Sequence, residues 1–181
     1  AGSAGPDHHG RVYVYGDLKG KPAFVIEPDE TGANLGGMFV SVVGDVDADG
    51  IADVYASDWS NTALGRATGR IYVHSGADGR RLLTLTGETA GDGFGIGPAD
   101  AGDVNGDGHA DLVIGAWRFS GAAPVAGKVY VYSGKDGTLL SAITDRVPGE
   151  TFGFDATGLG DVNGDGVIDY LLTSAWSSIN G

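Results

Sequence analysis

Short segments in which apolar residues alternate with small or polar ones recur along the whole chain. Three of them share one pattern, a glycine and a basic residue followed by β-branched residues alternating with aromatic ones: Gly10–Tyr15, Gly69–His74 and Gly127–Tyr132. A period of two residues is typical of β-strands with one buried face. No window shows a sustained apolar stripe of helical period, so we expect an all-β protein with almost no helix.

Two further landmarks repeat along the chain with the same spacing. An acidic Gly-Asp-Val segment occurs three times, and its first aspartates are 58 residues apart in both steps: Asp45, Asp103 and Asp161. A Phe-Gly pair, replaced once by Leu-Gly, keeps nearly the same interval at Leu35, Phe94 and Phe152. Three correlated landmarks indicate an internal structural repeat of about 58 residues.

Each repeat contains four predicted strands. The first runs from the Phe-Gly position to the acidic segment, the second follows that segment, and the third is the alternating pattern. A Ser-Gly-x-Asp-Gly turn leads to the fourth, and Asp-Gly favours a tight hairpin because glycine accepts positive φ. Repeated four-stranded antiparallel units are typical of β-propeller blades. We predict blades at 35–93 and 94–151, strands three and four of a split blade at 1–34, and its strands one and two at 152–181.

These three blade-equivalents are too few to close a ring, because propellers have about four to eight blades. The circular split between the two ends leaves half a blade, with a bare strand edge, at each of them. One interpretation is that another copy of the chain completes the split blade, which gives six blades if the pair closes and a filament if it does not. The other is that the sequence is a piece of a longer chain with the missing blades.

Each acidic segment reads Asp-x-[Asp/Asn]-x-Asp-Gly-x-x-Asp, with oxygen-bearing side chains at positions 1, 3, 5 and 9. Ca²⁺ prefers six to eight oxygen ligands, and position 7 offers a backbone carbonyl. We therefore predict three Ca²⁺ sites. Their ligands are Asp45, Asp47, Asp49, Ile51 and Asp53; Asp103, Asn105, Asp107, His109 and Asp111; and Asp161, Asn163, Asp165, Val167 and Asp169.

An EF-hand and a metal-free turn are the two other interpretations of these segments. An EF-hand needs an acidic residue at position 12 and flanking helices, but position 12 is apolar here: Ala56, Ile114 and Leu172. Asp, Asn and Gly also form ordinary turns without any metal. Four oxygen ligands that recur three times at a fixed spacing favour the interpretation as metal sites. We expect the metal to stabilise the fold and not to take part in catalysis.

Charge and composition exclude several function classes. The chain has 24 acidic and 11 basic residues, a net charge of −13, which disfavours nucleic acid because a phosphate backbone requires a positive surface. It has no cysteine, so disulfides and Cys-type zinc sites are excluded. No apolar run is long enough to span a bilayer. No Ser-His-Asp set, phosphate loop or His-Glu zinc motif can be assembled, so we expect no enzyme activity.

The Phe-Gly pairs, the acidic loops and the Gly-Ala-Trp segment at 115–117 together resemble the FG-GAP repeat of the integrin α-subunit N-terminal β-propeller. The resemblance covers essentially the whole chain. Two features depart from it: Leu35 replaces a phenylalanine, and tryptophan replaces a proline in every repeat. The resemblance implies a calcium-stabilised, extracellular or cell-surface binding module for a glycan or a protein. Alternatives are a self-assembling structural element and, more distantly, a propeller domain of a polysaccharide-degrading enzyme.

One tryptophan follows the second strand of each repeat, on the face away from the acidic loops: Trp59, Trp117 and Trp176. Longer connections lie on the same face, and loops on a rigid scaffold commonly carry recognition. The tryptophans are therefore candidate ligand-binding residues that stack on sugar rings, with Asp58 and Asn61 as hydrogen-bonding neighbours. The other interpretation, which we favour, is that they fill the gaps between adjacent blades.

Overall fold

The computed structural model describes residues 9–17 and 19–177, and these contain twelve β-strands and no helix. The strands are β1 (Val12–Val14), β2 (Phe24–Ile26), β3 (Val40–Val43), β4 (Asp53–Asp58), β5 (Arg70–His74), β6 (Arg81–Thr86), β7 (Phe94–Gly102), β8 (Asp111–Ala116), β9 (Lys128–Tyr132), β10 (Leu139–Thr144), β11 (Phe152–Gly160) and β12 (Asp169–Ser174). The alternating segments form β1, β5 and β9, as their period of two predicts.

The strands form two complete and two half sheets. β3 to β6 form one four-stranded antiparallel sheet and β7 to β10 another, each in chain order, whereas β1–β2 and β11–β12 are two-stranded. This confirms the predicted fold class of four-stranded antiparallel blades split between the two ends. The unit boundaries stay a prediction, and residues 1–8 and 178–181 of the outer units lie outside the described residues.

Hydrophobic side chains fill the space between successive sheets. Tyr55 and Ile71 of the first complete sheet pack with Leu112 and Ile114 of the second. The opposite faces of the complete sheets are also covered, since Tyr72 packs with the β1–β2 pair and Val113 with the β11–β12 pair. Each complete sheet therefore lies between two neighbours, while each half sheet has only one in the described part of the chain.

The glycine of each alternating segment contacts the Phe-Gly landmark that follows it along the chain. A Cβ on Gly69 would lie 2.1 Å from the Phe94 carbonyl oxygen, and one on Gly127 would lie 2.1 Å from the Phe152 oxygen. Gly10 makes the same approach to Leu35. The backbones touch where a sheet meets its neighbour, which explains physically why these two landmarks keep a common spacing.

The first complete sheet differs from the predicted strand pattern at its start. β7 and β11 begin at the Phe-Gly position, but β3 begins only at Val40, five residues after Leu35. Gly36 has φ +73° and its N–H donates to the Ser57 carbonyl at 2.8 Å. The extra residue in this repeat is thus accommodated in a turn, and β3 is shortened to four residues.

Candidate metal loops and the tryptophan face

The three acidic loops, residues 45–53, 103–111 and 161–169, fold in the same way around their first aspartate. Its carboxylate accepts the backbone N–H groups of positions 5 and 6. The distances are 3.0 and 2.7 Å at Asp45, 3.0 and 2.9 Å at Asp103, and 3.1 and 2.8 Å at Asp161. The N–H of Gly108 is the main cause that lowers the pKa of Asp103, and that of Gly166 does the same for Asp161. These hydrogen bonds favour the ionised form of both carboxylates.

The ninth-position aspartate connects each loop to the start of the second strand. One oxygen of Asp53, Asp111 and Asp169 accepts the N–H of the second loop residue at 2.8, 2.8 and 2.9 Å. In the complete sheets the other oxygen accepts a glycine N–H of the β5–β6 or β9–β10 hairpin, at 2.9 Å from Gly76 and 3.0 Å from Gly134. Asp53 and Asp111 are fully buried, and burial is the main cause that raises the pKa of Asp53.

The first loop brings three carboxylates together. Asp45, Asp47 and Asp49 each offer an oxygen, and these oxygens lie within 4.8 Å of one another. Asp47 Oδ1 is buried without a hydrogen-bond partner among the described residues, while its Oδ2 accepts Arg80 Nη2 at 2.6 Å. An oxygen that is removed from water without a donor is costly unless a cation faces it. The donor set of this loop therefore fits a hard cation.

The second and third loops carry asparagine at position 3, and the amide groups of Asn105 and Asn163 donate to Asp107 and Asp169 at 3.2 Å. The side-chain oxygens of Asn105 and Asn163 accept the position-5 N–H groups at 3.0 and 2.9 Å. The position-7 residues donate their N–H groups to the position-5 carboxylates at 2.8 to 3.1 Å: Ile51, His109 and Val167. The role of the position-7 carbonyls as metal ligands stays a prediction.

The first two loops are joined to each other, which the sequence did not reveal. Ala110 donates its N–H to the Asp45 carbonyl at 2.9 Å, and His109 Nδ1 lies 2.7 Å from the Val46 carbonyl oxygen. The oxygen can only accept, so Nδ1 carries the proton in this contact. Position 7 of the third loop is Val167, whose side chain has no such donor. His109 therefore connects neighbouring loops as well as occupying a predicted ligand position.

The tryptophans form one aromatic cluster with two phenylalanines. The ring centroids of Trp59 and Trp117 are 6.4 Å apart, those of Trp117 and Trp176 5.9 Å, and those of Trp176 and Phe154 5.2 Å. Phe39 joins at 6.4 Å from Phe154, so the cluster connects three sheets. The indole N–H groups of Trp59 and Trp117 are buried, whereas Trp176 is 58% exposed. Packing between sheets thus explains the positions of Trp59 and Trp117, whereas Trp176 presents its ring to solvent.

Two predicted polar neighbours of the tryptophans have structural partners instead. Asp58 is fully buried, and its carboxylate accepts the N–H groups of Ala33 and Asn34 at 2.7 and 3.0 Å. Asn61 is also buried and accepts the Thr31 hydroxyl at 3.0 Å. The prediction that they reach sugar hydroxyls was wrong, because both fix the connection at 28–34 against the end of β4. Trp176 also lies one residue further from its loop aspartate than Trp59 and Trp117 do.

The chain is similar to FG-GAP repeat models over part of its length and to integrin alpha subunits over most of it. The model of the FG-GAP-like repeat matches residues 45–114, and that of the FG-GAP repeat matches residues 99–132. Integrin alpha-3 of Cricetulus griseus is 31% identical over 96% of the chain, and integrin alpha-2 of Mus musculus is 29% identical over 95%. The chain spans only 17% and 16% of these two relatives. A crystal structure of rhamnogalacturonan lyase YesW matches 65% of this chain and 25% of its own, with 16% identity and a TM-score of 0.38.

Over residues 9–17 and 19–177, the structure has no helix with the length and apolar character that a bilayer requires.

Proposed function

We propose that this chain, whose FG-GAP repeats relate it to the integrin alpha subunits, is a calcium-stabilised, non-catalytic binding module at the cell surface or outside the cell. The observation that carries the calcium assignment is the first loop, where three carboxylates converge and a buried Asp47 oxygen has no donor. The same loop fold occurs twice more in the chain, with the same hydrogen bonds from positions 5 and 6.

The residues proposed to hold Ca²⁺ are the side chains at positions 1, 3, 5 and 9 and the carbonyl at position 7 of each loop. A bound cation offsets the repulsion among three or four carboxylates and ties the loop to the second strand. With a Kd of roughly 10⁻⁴ M, as in extracellular modules, millimolar Ca²⁺ adds about 1.4 kcal/mol per site. Three sites would supply about 4 kcal/mol, a large part of an ordinary stability margin.

The loop acids support a structural role rather than acid–base catalysis. In each loop the first and ninth aspartates accept backbone N–H groups that define the turn. A catalytic acid or base must exchange protons with a substrate, which would break these bonds. The same carboxylates are proposed metal ligands, so their proposed contribution is to the rigidity of the blade.

Recognition is proposed on the tryptophan face, opposite the metal loops. Trp176 offers an exposed aromatic ring, and the connections at 87–93 and 118–126 border a cleft lined by Glu88, Asp92, Arg118 and Phe119. Charged groups beside aromatic surface suit either a glycan or a protein ligand. The similarity to integrin alpha subunits favours a protein ligand and an adhesive role.

Calcium titration calorimetry on the intact chain, together with thermal melting with and without EDTA, tests the metal proposal. We expect three bound Ca²⁺ per chain and a melting temperature about 8 to 16 °C lower in EDTA, from about 4 kcal/mol at 2–4 °C per kcal/mol. Asp107→Ala should remove one site, whereas Asp78→Ala should keep all three, because Asp78 lies in a hairpin outside the acidic loops, where it accepts the Arg80 N–H and pairs with the Arg80 guanidinium at 3.7 Å. Equal binding by both variants would refute the ligand assignment.

A glycan array and a pull-down of surface proteins test the recognition face, each with the wild-type chain and Trp176→Ala. Loss of the captured ligand in this variant, with an unchanged melting temperature, supports the assignment. A ligand that binds both proteins equally places recognition elsewhere and contradicts it.

A further inference from the structure

A continuous series of backbone hydrogen bonds connects the second acidic loop to the first. Ala110 donates its N–H to the Asp45 carbonyl at 2.9 Å, and Val46 donates its N–H to the Asp53 carboxylate at 2.8 Å. The Asp45 carbonyl and the Val46 N–H belong to one planar peptide group and point in opposite directions. The Ala110 N–H shares its own peptide group with the His109 carbonyl in the same way. The series therefore begins at the position-7 carbonyl of the second loop and ends at the ninth aspartate of the first, and both are proposed metal ligands.

The side chain of His109 adds a second connection between the same two loops. Its Nδ1–H donates to the Val46 carbonyl at 2.7 Å, so Val46 bonds to the second loop as well as to Asp53. Val46 and Asp53 are buried, and in such surroundings hydrogen bonds that are linked to one another strengthen one another. The arrangement of the first loop therefore depends on that of the second.

The second and third loops meet in a different way. Ile168 takes the place of Ala110 at position 8, and in the described part of the chain its N–H makes no hydrogen bond to the Asp103 carbonyl. Its side chain instead lies beside Gly102, where a Cβ would be 3.3 Å from Ile168 Cδ1. Position 7 is Val167, which has no side-chain donor. The series of bonds is thus a property of the first two loops, and the third loop provides an internal reference.

We infer that the first and second calcium sites bind cooperatively, through the peptide groups between His109 and Asp53, whereas the third site binds independently of both. When the His109 carbonyl is held as a ligand, the peptide group that it shares with Ala110 is held as well, and with it the donor to Asp45. The first loop then loses less conformational freedom when it binds its own cation. This inference rests on the proposed calcium sites, but calcium binding alone does not imply it.

Calcium titration of the full chain, followed by NMR, tests the coupling. The amide signals of the position-6 glycines report on the loops separately: Gly50, Gly108 and Gly166. Asp107→Ala removes the second site, and we expect the Kd of the first site, read at Gly50, to rise about fivefold. Asp165→Ala is the same substitution in the third loop and serves as the matched control, which should leave the titration of Gly50 unchanged.

Two further variants separate coupling from general damage to the loops. Asp49→Ala removes the first site and should raise the Kd of the second by the same factor, because a coupling free energy is reciprocal. His109→Val keeps the position-7 carbonyl and every carboxylate, so we expect all three sites to bind and the Kd of the first to rise about twofold. Val167→Ala, at position 7 of the third loop, is its control and should not change the first site.

Far-UV circular dichroism verifies that each variant is folded, and Asp107→Asn replaces Asp107→Ala if that variant is not. An unchanged Kd at Gly50 in Asp107→Ala, or the same rise in Asp165→Ala, would overturn the inference and leave the metal proposal standing. A lower Kd in Asp107→Ala would also overturn it, because repulsion between two bound cations would then outweigh the hydrogen bonds. If no glycine signal of the unmodified chain responds to Ca²⁺, the metal proposal and this inference both fail.

Discussion

The second strand of the repeat occurs in this protein in two settings, inside a complete sheet and at the edge of a half sheet. In β8 all six residues are buried, whereas in β12 four are partly buried and the other two, Leu171 and Thr173, are exposed. Both strands start at a loop aspartate with the same hydrogen bond to the second loop residue. Local sequence therefore sets the loop and the strand, while the neighbouring sheet sets the burial and hence the contribution to stability.

The loop aspartates should show this difference most strongly. Asp111→Ala removes the acceptors of the partly buried Val104 N–H and the buried Gly134 N–H, and unsatisfied buried donors cost about 1–3 kcal/mol each. We expect Asp111→Ala to lower the free energy of unfolding by about 3 kcal/mol and Asp169→Ala by about 1 kcal/mol. Urea unfolding in EDTA measures both without the metal. Equal losses would mean that the second hydrogen bond and the burial of Asp111 contribute nothing.

A smaller difference is expected from the hydrophobic positions of the same two strands. Ile114 is fully buried between the complete sheets, and Leu172 packs against the second complete sheet with its other side partly exposed. Large-to-small substitutions in a core cost about 2–5 kcal/mol, and less where the site is open to solvent. We expect about 3 kcal/mol for Ile114→Ala and about 1.5 kcal/mol for Leu172→Ala, measured by urea unfolding. Equal losses at the two positions would contradict the dependence of stability on the neighbouring sheet.

The parts of this fold that could be predicted are those in which the residues responsible lie close together in the sequence. The strands, the hairpins and the loop fold follow from alternation, Asp-Gly turns and the spacing of aspartates. The burial of Asp58 and Asn61 was missed because their partners, at Thr31, Ala33 and Asn34, are more than twenty residues away. The contact between Arg80 and Asp47 was missed for the same reason. Nothing in the local pattern indicates such partners.

The connection between the β1–β2 half sheet and the first complete sheet should respond to pH. Burial raises the pKa of Asp29, but hydrogen bonds from Thr31 and Arg70 outweigh it and lower that pKa from its usual 3.8 to about 2. A depressed pKa means that the stabilisation is present above about pH 4 and is lost as pH falls towards 2. We expect Asp29→Asn to lower stability by about 1 kcal/mol at pH 7 and to have almost no effect at pH 2.

The measurement is urea unfolding in EDTA at several pH values, which keeps metal binding out of the comparison. Asp17→Asn is the control, because Asp17 is exposed and its carboxylate accepts the nearby Lys19 N–H. The wild-type and Asp29→Asn curves should converge below pH 3 or so. A constant difference between them down to pH 2 would show that the charge of Asp29 is not what anchors this half sheet.

The smallest expected effect distinguishes the first loop from the other two. Position 4 has a left-handed backbone in all three, with φ +60° at Ala48, +74° at Gly106 and +81° at Gly164. An L-residue with a Cβ pays about 1 kcal/mol in this region, which glycine avoids. Ala48→Gly should therefore stabilise the chain by about 0.5 kcal/mol, and Gly106→Ala should destabilise it by about 1 kcal/mol. Because a Cβ on Gly106 would have no atom within 4 Å, any loss in that variant comes from the backbone alone, and effects of the same sign at both positions would contradict the shared loop fold.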